Sequence, residues 1–481
     1  MTHRERSLVN FPWLVLLAAL LLTGIGLLGI HSATASSGEA GQADTSVMVQ
    51  CLWLLVSLGV LVLATWPNYL RLGRYSYLLF AISLAALGLL LVARYVGGFP
   101  GLIEPRNEAY SWFMIPGTRN TLQPSELTKI TFIMAMAWWL SHRRDRQRPR
   151  DLVIPFLLAL LPTAMVIRQP DLGTATMFLP VLLLMLVAAG ARLRHLLVVA
   201  GVIVLLVPAL YLKIDGFQQK RIDTWLLAGP VEEFRLNRLS VSGDRKLSDD
   251  EKRQMVNSLR HSTFVRIYLA ADYAKWWTGG RLSWFFGSPA LRRDGFYDRP
   301  YTSPLAGIGD SGDPLDKQFL LAHRFVEKIL SGPGYQQFQG KVAIGSGGLS
   351  GAGFGQGSQT QSRFLDEARN DFIFAVIAEE WGFIGSLIVI VLYVLIIVFG
   401  VDVGLSTNEP YGKLLAVGVV ALVASQAFLN IAICVGLMPV TGIPLPLVSY
   451  GGSSLVSAYL AVGLLCNIGM RRYVSHEPSP F

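Results

Sequence analysis

Residues 372–400 read FIFAVIAEEWGFIGSLIVIVLYVLIIVFG, an apolar run whose only charges are Glu379 and Glu380. A helix needs about 20 such residues to cross the hydrocarbon core of a bilayer. In lipid the run must be helical, because only a helix satisfies every backbone N–H and C=O within one segment. The stretch therefore predicts a membrane-spanning helix.

The rest of the chain shares this character. It has 481 residues, 52% hydrophobic and only 15% charged, where a soluble domain carries about a quarter of its residues as charges. Ten runs qualify as spans, at 11–30, 47–66, 75–95, 125–141, 152–167, 174–190, 195–212, 372–399, 413–434 and 453–468. The fourth and fifth are short, which points to tilt or to screening by neighbours. The first run has no small-residue cleavage site and further runs follow it, so no cleavable signal peptide is expected.

Basic residues accumulate in the cytoplasmic loops of membrane proteins. With the N-terminus inside and ten alternating spans, the inner segments hold 14 Lys and Arg and the short outer loops hold 3. The tract from Arg143 to Arg150 carries most weight. The expected fold is an all-α polytopic membrane protein with ten transmembrane helices, both termini cytoplasmic and one large extracytoplasmic loop. The expected divisions are 1–212 (helices 1–7), 213–371 (the loop, with an insertion at 231–330), 372–468 (helices 8–10) and 469–481 (tail). The net charge of +9 is explained by inner loops facing anionic lipid and calls for no nucleic acid.

Cys51, Cys434 and Cys466 all lie in apolar runs and the seven histidines are scattered, so neither a disulfide framework nor a structural metal is expected. In the long loop, Ser248-Asp249-Asp250-Glu251 reads as a capping box. It opens a helix that carries Met255, Leu259, Val265, Leu269 and Trp276 before Gly279-Gly280. A second helix is expected from Asp313-Pro314 to Gly332. The glycine-rich stretch Gly345–Gly357 lacks the Gly-Lys-Ser/Thr of a P-loop; a phosphate cradle and a mobile linker both stay open.

Ionisable residues inside spans are costly and by default face the interior with a job. Glu126 and Lys129, three residues apart, share a helix face and can pair, either to align helices or to serve a site. Glu379 and Glu380 project about 100° apart, so at least one is expected to be structural. Asp371 sits where the long loop enters the eighth run. A helix cap and a general base at the mouth of a bundle are both open there. Residues 436–454 hold three prolines and four glycines and cannot continue a helix. Irregular backbone at membrane depth must be buried in protein or line a cavity, so a re-entrant loop is expected.

Several stretches together resemble the SEDS family, the glycosyltransferases of the RodA, FtsW and SpoVE type. They are Gln123-Pro124-Ser125-Glu126 with Lys129, Gln169-Pro170-Asp171-Leu172-Gly173-Thr174, Arg221-Ile222, Ala343–Gly348, Asp371-Phe372-Ile373-Phe374 with Glu379-Glu380, and the long signature Asn430–Ser454. Leu445–Ser449 is most similar to the RodA branch.

The resemblance implies polymerisation of lipid II at the outer face of a bacterial inner membrane, with the family's catalytic aspartate at Asp371. Gln123, Glu126, Lys129, Arg221, Arg369, Ser449, Gly451 and Gly452 become the expected substrate-binding residues. Lipid II, membrane lipid and a class B penicillin-binding transpeptidase are the expected partners. No cofactor is required, and a divalent cation, Mg or Mn, stays open. The chain departs from the family at Asp366, Arg369 and Asn370, where Pro, His and Thr are usual, and at Ser111, where Arg is usual. A flippase for the same precursor and a non-catalytic scaffold are the rival readings.

Overall fold

A computed structural model describes residues 11–35, 42–99, 101–103, 110–115, 120–143, 149–198, 201, 221–227, 248–261, 333–362, 364–365 and 367–471. The chain forms two compact units. One holds residues 1–199, 342–434 and 441–481, the other 200–341 and 435–440.

In the first unit the apolar runs become helices: α1 (Trp13–Ala35), α2 (Gln42–Thr65), the short α3 (Tyr69–Arg74) and α4 (Ser76–Val96). After a loop follow α5 (Pro124–Ser141), α6 (Val153–Ile167) and α7 (Leu172–Ala188). Among the described residues, α1, α2 and α4 are long and apolar enough to cross a membrane, as are three C-terminal helices, Ile373–Leu405, Pro410–Cys434 and Gly452–Arg471. The seventh run, 195–212, falls almost wholly outside the described residues.

Among the described residues the helices are accompanied by a small two-stranded sheet just before α5, two residues to a strand. In it β1 (Phe113–Met114) pairs antiparallel with β2 (Thr121–Leu122), Phe113 opposite Leu122 and Met114 opposite Thr121.

Burial separates a core from a shell. α5 is buried on nearly all sides, and it packs against α4 and against Pro410–Cys434. Its shortness follows from that position, since a helix wrapped by others needs no long lipid-facing flank. The outer helices instead expose Leu14, Leu17, Leu55, Leu63, Ile82 and Leu157. A water-soluble surface does not carry apolar area on this scale; a lipid-facing one does.

Lipid tails are as apolar as leucine, so packing and small residues hold such helices together. A Cβ on Gly463 would lie 2.9 Å from the Ala64 Cβ, which lets Gly452–Arg471 lie close along α2. At the end of that contact, Asn467 Nδ2 donates to the carbonyls of Ala64 (2.6 Å) and Pro67 (2.7 Å). The Arg471 guanidinium donates to those of Thr65 and Trp66, both at 3.1 Å. A cation on the open carbonyls of a helix C-terminus is favoured by hydrogen bonding and by the helix dipole.

The second unit contains a helical turn at 221–227, α8 (Asp249–His261) and most of α9 (Pro333–Ser346). The capping box of α8 is formed reciprocally: Ser248 N–H donates to Glu251 Oε2 (2.7 Å), and Glu251 N–H donates to Ser248 Oγ (3.3 Å). Strap 435–440 is held by Trp225 Nε1, donating to Gly436 O (3.2 Å), and by Gln337 Nε2, donating to Met438 O (2.7 Å). Val265, Leu269, Trp276, Gly279-Gly280, the helix expected from Asp313 and most of insertion 231–330 lie outside the described residues.

Candidate active site

The site is built where the chain enters the eighth apolar run. α10 (Ser358–Gln361) precedes that entry, and α11 (Ile373–Leu405) is the run itself. α11 is interrupted at Gly382, whose φ of 65° and ψ of −158° only glycine adopts readily. The glycine-rich segment docks at that interruption. Phe383 N–H donates to Gly348 O (2.9 Å), Ala352 N–H to Glu379 O (2.9 Å) and Gly353 N–H to Glu380 O (3.0 Å). A Cβ on Gly351 would lie 2.0 Å from Glu380 O. The glycines therefore permit backbone to lie directly on backbone, with the Ala352 and Gly353 amides on α11 carbonyls.

The two glutamates of α11 diverge as their spacing requires. The fully buried Glu379 carboxylate accepts hydrogen bonds from Gln359 N–H (2.7 Å), Thr360 N–H (3.2 Å), Thr360 Oγ1 (2.8 Å) and Ser358 Oγ (3.3 Å). It thus fixes the first turn of α10 from outside. Glu380 accepts from the buried Ser32 hydroxyl of α1. Both side chains brace the segment that leads to Asp371.

Asp371 is half-buried at the head of α11, two residues before its first helical position. Its N–H donates to Glu367 O (3.2 Å). Its carbonyl accepts from Nδ2 of Asn430 (2.8 Å), a fully buried residue of α12 (Pro410–Cys434). The same Nδ2 donates to Ile443 O (2.7 Å).

Between α12 and α13 (Gly452–Arg471) the backbone is irregular, as the prolines and glycines require. Its stretch in the first unit, 441–451, buries Ile443, Leu445, Leu447, Val448 and Ser449. Leu447 has a φ of 69°, a left-handed conformation that costs a non-glycine residue about 1 kcal/mol or more. From this loop Ser449 Oγ donates to Asn370 O (2.5 Å) and Tyr450 N–H to Arg369 O (2.9 Å). The Arg369 guanidinium lies 4.9 Å from the centre of the Tyr450 ring and donates to Ser46 Oγ (3.3 Å). Gly451 N–H donates to Gln50 Oε1 (3.2 Å), and Gly452 packs on Trp53, where a Cβ would lie 2.2 Å from the indole.

A second polar cluster surrounds the start of α5. Lys129 Nζ donates to Glu126 Oε1 (2.7 Å), both side chains being shut off from solvent, and Ser457 Oγ of α13 donates to Glu126 Oε2 (2.9 Å). Gln123 N–H donates to Ser453 Oγ (2.9 Å), and its Nε2 donates to Asp171 Oδ2 (2.9 Å). The other oxygen of Asp171 caps α7 through Thr174 N–H (3.0 Å). Burial pushes the Asp171 carboxyl above the usual carboxylate range, and the Thr174 hydrogen bonds oppose the shift.

The sequence-predicted residues thus fall into groups. Asp371, Arg369, Ser449 and Gly451 meet at one loop junction, and Gln123, Glu126 and Lys129 meet at another, which α13 joins through Ser453 and Ser457. Arg221 belongs to the second unit. Asn430, Gln50, Ser457 and Asp171 had no assigned role, although a buried amide inside an apolar run, as Asn430 and Gln50 are, is itself a signal.

The Cell cycle protein family, which unites FtsW, RodA and SpoVE, matches residues 12–232 and 318–474. The peptidoglycan glycosyltransferase RodA of Treponema pallidum is 31% identical over 98% of this chain and all of its own. A probable peptidoglycan glycosyltransferase FtsW of Geobacter metallireducens is 27% identical over 97% of this chain and 96% of its own. Among solved structures, a chain from a peptidoglycan synthase complex that coordinates polymerization and crosslinking superposes with a TM-score of 0.62. It covers 97% of this chain and 99% of that one at 22% identity, a likeness that bears on the fold alone. With the family match covering most of the length and the T. pallidum relative covered end to end, this chain belongs to the FtsW/RodA/SpoVE family.

Proposed function

We propose that the chain is a peptidoglycan glycosyltransferase that polymerises lipid II at the outer face of the bacterial inner membrane. One observation carries the reading: in a member of this family, a half-buried carboxylate, Asp371, heads a long apolar helix whose entry is braced on several sides. The 4-hydroxyl of an acceptor GlcNAc attacks C1 of the donor MurNAc, the C1–O bond to undecaprenyl pyrophosphate breaks, and the centre inverts. Asp371 accepts the hydroxyl proton. The pyrophosphate leaves as an anion, and its charge calls for a cation.

Arg369 leads for that role, with Arg221 as a second candidate. Lys129 is the weaker one, because its ammonium is committed to Glu126 inside a buried pair. Helix alignment is therefore our reading of that pair. Gln123, Gly451 and Gly452 remain proposed headgroup contacts, with lipid tails in the bilayer.

The topology we propose has ten spans, both termini cytoplasmic, residues 213–371 outside and 469–481 as an inner tail. A class B penicillin-binding transpeptidase is the proposed partner that cross-links the strands.

The test is incubation of the purified chain with labelled lipid II, alone and with such a transpeptidase. Glycan chains on a gel are the expected result. Movement of lipid II across liposome membranes with no glycan product overturns the reading in favour of a transporter.

A further inference from the structure

We propose that loop 441–451, together with Asn430, is a positioning clamp that sets the Asp371 carboxylate by gripping three successive backbone carbonyls. The inference rests on Asp371 being the base. Tyr450 N–H holds Arg369 O, Ser449 Oγ holds Asn370 O and Asn430 Nδ2 holds Asp371 O. Two of the grips, and the loop between them, are themselves held. Ser449 Oγ also accepts from Leu445 N–H (2.8 Å), Asn430 Nδ2 also holds Ile443 O, and the buried Tyr393 hydroxyl of α11 donates to Pro446 O.

α1 closes on the loop from another side, where a Cβ on Gly26 would lie 2.4 Å from Val448 O. The left-handed Leu447 is the strain such a loop retains, and strain of this kind persists only where the surroundings over-determine it. Asn430 and Ser449 therefore act on the reaction through the backbone of residues 369–371 rather than through the substrate.

A group that fixes the base changes the rate at which bound substrate reacts, and it leaves binding of the lipid headgroup alone. Lipid II turnover, half-saturation and melting temperature should be measured on the full-length chain and on Asn430→Ala, Ser449→Ala, Ser449→Thr and Asp371→Asn. Misplacing a reacting group by about 1 Å costs about 100-fold. We expect kcat of Asn430→Ala and Ser449→Ala to fall by about 10- to 100-fold per folded molecule. Half-saturation should stay within about twofold. Ser449→Thr, which keeps the hydroxyl, should recover most of the loss.

Unchanged kcat, a loss that disappears on correction for the folded fraction, a change carried by KM, or no recovery in Ser449→Thr would each overturn the clamp. Full activity of Asn430→Ala beside a dead Asp371→Asn removes the clamp and leaves the base. Polymerisation by Asp371→Asn removes the base itself.

Discussion

Glu126 and Lys129 carry opposite charges into a helix almost closed to solvent. Removing one partner of such a pair strands a charge and costs about 3–5 kcal/mol, whereas removing both costs far less. Lys129→Met should therefore lower the unfolding midpoint in detergent, and Glu126→Gln/Lys129→Met should recover a good part of the loss. Equal destabilisation by the single and double variants would mean the pair is not the stabilising contact. Glu379 offers a second case, since its carboxylate takes four hydrogen bonds from residues 358–360. Glu379→Ala leaves the buried Thr360 donors unsatisfied at about 1–3 kcal/mol, and proteolysis within 347–361 should accelerate.

The ionisable residues were legible in the sequence because a charge in an apolar run is conspicuous. Their partners were less so. Glu126 and Lys129 are three residues apart, but Ser457 on Glu126 and Asn430 on Asp371 are contacts between distant segments, which spacing along the chain cannot report.

At the scale of elements, nine of the ten apolar runs fall on helices and the tenth, 195–212, lies almost wholly outside the described residues; hydrophobic length alone dictates helix in lipid. The irregular backbone after Cys434 was legible for the converse reason, that its prolines and glycines exclude helix. The interruption of α11 at Gly382 was not. Its glycine sits in an unbroken apolar run, and the segment that inserts there comes from the glycine-rich stretch, where composition marks close approach without naming the surface approached.

Gly351→Ala tests that reading, because the new methyl would meet Glu380 O at 2.0 Å and the residue has a φ of 83°. Overpacking of this kind costs about 1–3 kcal/mol, read as a lower unfolding midpoint. Gly355→Ala, at a left-handed position with open space around it, should bear only the backbone penalty of about 1 kcal/mol. Equal effects of the two would show that the docking contact is not tight.

For the whole molecule, composition and the basic loops predict which face each segment occupies. Cysteines introduced at Arg146 and at Ser248 should label from opposite sides of intact cells, Ser248→Cys from outside and Arg146→Cys only after the membrane is breached. Labelling of both from one side would contradict the ten-span arrangement. The all-helical membrane fold was readable from hydropathy. The bonds that join loop 441–451 and Asn430 to residues 369–371 were not, because they depend on which distant backbone atoms are brought within hydrogen-bonding distance.

The measurement that bears most directly on the central claim is lipid II polymerisation by purified Asp371→Ala beside the unaltered chain, with membrane insertion and melting temperature checked for both. A carboxylate acting as the base predicts glycan chains from the unaltered chain and none from a folded, inserted Asp371→Ala. Chains of similar yield from both would contradict it.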